Sequence, residues 1–146
     1  MRRLVVVLAV LLLAGCGGSG DASHEEFAAD VNRICREGEA RVSAIAEDVQ
    51  GRQPDEVADA IERAGDEFDP VLRRLRGLEA PEDLRADWNA FLDDIGAATD
   101  LLGQVAEAVR TGNREEGARL AARYKKIARE TRPFAEQYHL DGCLSG

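Results

Sequence analysis

The thiols and imidazoles in the chain are few and far apart in sequence: three cysteines (Cys16, Cys35, Cys143) and two histidines (His24, His139). Cys16 has its own setting. It follows Leu13-Ala14-Gly15, where small residues let the backbone enter a peptidase groove. A thiol left at the new N-terminus can then be alkylated by a diacylglyceryl group. Removing Cys16 leaves Cys35 and Cys143, an even pair that an oxidising compartment joins as a disulfide. Closing so long a loop is worth up to about 4.7 kcal/mol by chain entropy. Two independent thiols or a metal pair are the competing uses. His24, His139, Cys35 and Cys143 could make a metal set, yet no two stand at ligand spacing, so no metal is expected.

Other chemistry lacks its parts. The sequence has no Cys-x-x-Cys-His, and its one methionine is Met1, which leaves no c-type or Met/His-ligated haem. Asp93-Asp94, Glu115-Glu116 and Glu25-Glu26 are read as solvated faces. Ser19, Ser23, Ser43 and Ser145 never fall in Gly-x-Ser-x-Gly, and no histidine is placed as their base. The expectation is a non-catalytic protein without cofactor.

The elements around these residues follow from the order of types. Arg2 and Arg3 precede an unbroken apolar run from Leu4 to Ala14. Eleven residues cannot cross a bilayer core, which needs about 20, but they suit the h-region of a signal peptide. With Leu13-Ala14-Gly15-Cys16, the segment matches a lipobox. Residues 1–15 are thus expected to be a lipoprotein signal peptide and Cys16 the lipidation site, carrying acyl chains such as palmitate. Gly17-Gly18-Ser19-Gly20-Asp21 belongs to a flexible tether over 16–22, and 23–146 to one domain. Cleavage removes two arginines and no acid, leaving 17 basic against 28 acidic residues, a net charge of −11. Nucleic acid is excluded as a partner by that sign. The expected location is the extracytoplasmic face of the cell membrane.

Within the domain, apolar residues step at three and four, as on helices buried along one side. The first stripe is Phe27, Val31, Ile34, Gly38, Val42, Ile45 and Val49, opened by a capping box of Ser23 and Glu26. The second is Val57, Ile61, Ala64, Phe68, Leu72, Leu75 and Leu78, after Gly51 and Pro54. Pro81 opens the third at its first position, followed by Leu84, Trp88, Phe91, Leu92, Ile95, Ala98, Leu102, Val105 and Val109. Gly112 suits a left-handed cap, and Asn113 can cap the fourth, with Glu116 three residues on. The last stripe (Leu120, Ala121, Tyr124, Ile127, Ala128, Ala135, Tyr138) is sparser. The expectation is an all-α, antiparallel up-down-up-down four-helix bundle with one continuous core. Pro70 should kink the second helix or restart it from Asp69. Both chain ends share one end of the bundle, and the tail must turn back along the first helix to reach Cys35, with Gly38 leaving room.

Asn32-Arg33-Ile34-Cys35, the run Leu72, Leu75, Leu78 and Pro81, and the closing Tyr138, Leu140 and Cys143 resemble small secreted lipoproteins of actinobacteria. The resemblance covers most of the mature chain. It implies a disulfide-tied helical bundle and supplies no activity and no functional residues.

Function is therefore weighed from surfaces. Residues 119–132 hold Arg119, Arg123, Lys125, Lys126, Arg129 and Arg132 against one acid, Glu130. They either pair with acids on neighbouring helices or form a docking face, carried by Arg119, Arg123, Lys126 and Arg129, for an envelope protein, polymer or anionic headgroup. Trp88, Phe91, Phe68 and Tyr124 either line a pocket or fill the core. The favoured expectation is a membrane-anchored interaction or sensor module at the cell envelope. A small-ligand binder, with an apolar cavity opened at Pro70, is the alternative.

Overall fold

The computed structural model describes residues 19–47, 49 and 52–144. Four α-helices form a bundle: α1 Ser19–Glu47, α2 Pro54–Arg76, α3 Arg85–Arg110 and α4 Arg114–Gln137, followed by a single 3₁₀ turn at Asp141–Cys143. The expected signal peptide, Cys16 and residues 17–18 of the expected tether lie outside the described residues, whereas residues 19–22, expected to be flexible, form the first turn of α1.

Local chemistry explains most boundaries. Pro54 is the first residue of α2, and the Gln53 backbone N–H donates to Glu56 Oε2 at 3.0 Å. Asn113 Oδ1 accepts from the Glu116 N–H at 3.2 Å, capping α4 as expected. Two starts differ from expectation. α1 begins at Ser19, so Ser23 lies inside the helix and cannot cap it. The third helix begins at Arg85, not Pro81; residues 82–84 form a separate turn in which the Leu84 N–H donates to Pro81 O at 3.0 Å. The Asp83 carboxylate there is engaged by His24 at 3.0 Å, and α3 starts without a side-chain cap. Pro70 and Pro133 both sit within unbroken helices, so no restart occurs at Asp69.

Two cores replace the single one expected. In the larger, Phe27, Val31 and Ile34 of α1 meet Val71, Leu72 and Leu75 of α2, Trp88, Phe91 and Leu92 of α3, and Leu140 of the tail. Its rings interlock: Phe27 stands edge-on to Trp88 at 5.0 Å, and Phe91 stacks on Phe134 of α4 at 4.9 Å. The smaller core holds Leu101 and Ala108 of α3 against Leu120 of α4, with Val105 and Ile127 beside them. Beyond them Val42, Ile45, Val57 and Ile61 are only half-buried.

Arginines fasten neighbouring helices. Arg41 reaches Glu67 at 2.7 Å and Arg74 reaches Glu37 at 2.6 Å, joining α1 to α2. Arg110 joins α3 to α2 through Asp59 and Glu62 at 3.1 and 3.0 Å. Gly38 permits the closest approach of α1 and α2, since a Cβ there would stand 2.6 Å from Val71 Cγ2. The room at Gly38 is therefore filled by α2, not by the tail as expected.

Candidate functional site

The tail's route begins at the end of α4. The His139 N–H donates to Glu136 O at 3.3 Å and the Leu140 N–H to Ala135 O at 2.8 Å, the two bonds of a Schellman cap. That cap needs a left-handed residue, and His139 supplies it at φ 55°. α3 ends in the same way, with Gly112 at φ 66° and the Asn113 N–H on Ala108 O at 2.9 Å. A residue with a Cβ costs roughly 1–2 kcal/mol in this conformation, whereas glycine does not. At His139 the cost is offset by what the turn delivers. Leu140 enters the core with 0% exposure, and the tail crosses onto α1.

Asn32 receives it with both ends of its amide. Nδ2 donates to His139 O at 2.8 Å, and Oδ1 accepts from the Gly142 N–H at 2.7 Å. Gly142 lies so close that a Cβ would be 2.6 Å from Asn32 O. One residue on, Cys143 bonds Cys35, one helical turn beyond Asn32, with Cα atoms 5.1 Å apart. The disulfide and the returning tail are as expected from the sequence. Asn32 and Gly142 were missed as functional parts; Gly142, placed just before a cysteine, was the available signal.

His24 and His139 come to the same end, as expected. They line one cleft of about 480 Å³ together with Phe27, Leu84 and Tyr138. The hydrogen bond from His24 holds the Asp83 carboxyl below its ordinary range. The cysteines are spent on the disulfide, and among the described residues no three metal-ligating side chains converge. Glu136 stands three residues before His139, the Glu-x-x-His spacing of di-iron bundles, which sequence reading passed over. Glu136 instead faces Arg132 at 3.5 Å, and His139 lies beyond the helix end.

Like Arg33 of α1, which pairs with Asp30 and Glu37 of its own helix, the basic residues of α4 make no ion pair to another helix among the described residues. Arg119 bonds Glu116 at 2.8 Å, which keeps that carboxyl below its usual range, and Lys126 approaches Glu130 at 3.7 Å. Both partners are on α4 itself. Among the described residues Arg123, Lys125 and Arg129 have no ion pair, and all three are exposed. Tyr124, in their midst, is also exposed. Among the described residues the expected pairing with acids on neighbouring helices is not found.

The aromatic residues separate. Trp88 and Phe91 are core, while Phe68 is half-buried and lines neither of the two clefts described here. The second cleft, about 530 Å³, is bounded by Ser23 of α1, Arg76 of α2, the 78–81 connection, and Arg85, Trp88 and Asn89 of α3. Trp88 is 2% exposed, and its indole N–H is buried without an acceptor.

These features define an all-α, disulfide-clasped bundle with one basic face whose ion pairs all stay within α4. Comparison with family models, curated proteins and solved structures finds no match.

Proposed function

We propose that the protein is a lipoprotein of the actinobacterial type named above, anchored to the extracytoplasmic face of the membrane by lipid on Cys16. It acts there by contact, as a non-catalytic interaction or sensor module. One observation carries the contact reading: Arg41, Arg74 and Arg110 reach acids on another helix, whereas Arg119 and Lys126 pair only within α4. Cations that do not hold the fold together are available to an anionic envelope partner. Reversing Arg119, Arg123, Lys126 and Arg129 to glutamate should leave melting nearly unchanged, because exposed pairs contribute about 0–1 kcal/mol. Salt-sensitive envelope association should be lost. Association that persists at low salt rejects the docking face, and intact mass showing residues 1–15 retained rejects the anchor.

The bundle is read as antiparallel, up-down-up-down, with α2 bent at Pro70. Support comes from the order of contacts: as α1 advances from Glu37 to Arg41, its partners on α2 retreat from Arg74 to Glu67. Hydrogen exchange faster over 66–71 than over 57–61 is the expected mark of the bend.

A second reading, a small-ligand binder with an apolar pocket, is favoured by the cleft between Phe27, Leu84 and Tyr138. That cleft lies at the clasped end, away from Phe68 and Pro70.

A further inference from the structure

The four helices differ in sign. α1 carries seven acidic against three basic residues, α2 seven against four, and α3 five against two. α4 reverses the balance, with seven basic residues against four acids. Position matches charge. Among the described residues α4 packs on α3 and on the tail, and none of its Cα atoms comes within 8 Å of one in α1 or α2. It is the outermost helix on its side, and its buried line is narrow: Leu120, Thr131 and Ala135. At about 100° per residue, Lys126 and Arg129 fall nearly opposite that line. Arg119 and Lys126 are 69% and 67% exposed even while paired.

The proposed anchor sets what this face can reach. The Tyr138 ring at the end of α4 lies 6.4 Å from the His24 ring near the start of α1, so the two helix ends meet. Cys16 stands three residues before Ser19, the first residue of α1, and three residues span at most about 11 Å. That is close to the screening length of about 8–10 Å near physiological salt. A bundle held so near a bilayer brings its charges within range of the headgroups. Of the four helices only α4 has the sign that an anionic leaflet attracts, and the other three are repelled. The segregation of charge therefore acts as an orienting torque, which lays the bundle on its side with α4 towards the membrane.

We infer that α4 docks along the anionic phospholipid surface of the membrane that holds the anchor. The inference rests on the anchored-contact reading above and names its partner. Guanidinium groups such as those of Arg119, Arg123 and Arg129 match the oxygens of a headgroup phosphate. The anchor makes the encounter intramolecular, so that weak individual contacts suffice. Wall polymers and envelope proteins have no such enforced proximity.

Lys125 and Lys126 are the only lysines in the chain, and both are exposed on α4, so amine acylation located by peptide mass reads this face directly. Membrane-extracted protein would be reconstituted into phosphatidylcholine vesicles with and without phosphatidylglycerol, then treated with an uncharged amine-reactive ester. Phosphatidylglycerol should slow acylation of both lysines roughly fivefold, and the difference should vanish at about 1 M salt, where screening shortens to about 3 Å. Arg63→Lys places a reporter on the acidic α2 and should label equally in both vesicles. Arg119→Gln, Arg123→Gln and Arg129→Gln together should lose the protection with melting unchanged. Retention on phosphatidylcholine vesicles reads the anchor alone, and loss from them overturns the anchor and this inference with it. Retained protein whose lysines label equally in both vesicles overturns the lipid surface and leaves the anchor standing. Protection seen only in native envelope does the same, and assigns α4 to a polymer or protein. Equal slowing at Arg63→Lys overturns the choice of face.

Discussion

At the clasped end, rings from three helices, the Asn32 amide and the Cys35–Cys143 bond tie together segments distant in sequence. At the other end, α3 and α4 share a small aliphatic cluster, while Val42 and Ile45 of α1 remain half-buried. One bundle thus has a locked half and a loosely packed half. Length of apolar stripe does not guarantee depth of core: the stripes run on, but the large side chains are concentrated at one end.

The sharpest way to break the contrast is to remove the lock. Replacing Cys35 and Cys143 together by alanine should lower stability by up to about 4.7 kcal/mol, read as the difference in denaturant unfolding from the parent. Phe91→Ala should follow, at about 3–5 kcal/mol, whereas Leu120→Ala in the small core should fall near the lower end of about 2–5 kcal/mol. Equal losses would mean that both halves are equally well packed. Asn32→Ala strips the tail of both amide bonds and leaves the Gly142 N–H without its acceptor, a loss of about 1–3 kcal/mol. It should also speed hydrogen exchange over 140–143 while leaving Ala108 to Asn113 unaffected. His139→Gly tests the strained cap in the other direction: it should raise stability by about 1 kcal/mol, and a fall would show that the imidazole contributes more than the backbone costs.

The smallest effect is in acid. Salt-bridged Glu37 and Glu116 and hydrogen-bonded Asp83 hold their carboxyls below the ordinary range of about 3.8–4.5. Groups shifted down stabilise the fold while ionised, so their contribution is complete above about pH 5. It is lost as pH falls through and below their ordinary values. Glu37 and Asp83 are exposed and Glu116 is half-buried at the surface, and the melting temperature should decline shallowly below about pH 4.5, more steeply at low salt.

Much of this was legible in the sequence. The four amphipathic stripes, the Gly112 turn, the Asn113 cap and the cysteine pair all follow from local periodicity, backbone sterics or parity. What escaped depends on distance. Asn32 opens the Asn32-Arg33-Ile34-Cys35 motif, but its role as the tail's receiver appears only when a segment 107 residues away presents a carbonyl to it. The left-handed turn at His139 has no glycine to announce it. The turn before α3 is held by a contact no local pattern announces, Asp83 with His24, 59 residues earlier. The second cleft combines α1, α2 and α3, and no single stripe encodes it.

The clasp also sets a clock on chain maturation. Cys143 follows Cys35 by 108 residues, which at synthesis rates of roughly 5–20 residues per second is an interval of roughly 5–20 s. During that interval the nearest sulfur to Cys35 is Cys16, nineteen residues upstream. Closing that short loop costs about 1.5 kcal/mol less chain entropy than closing the native one. A free Cys16 thiol is therefore the favoured wrong partner at the time when the right one does not yet exist. Alkylation of Cys16, as proposed above, would remove the competitor, and the lipid would then act as a protecting group for the disulfide.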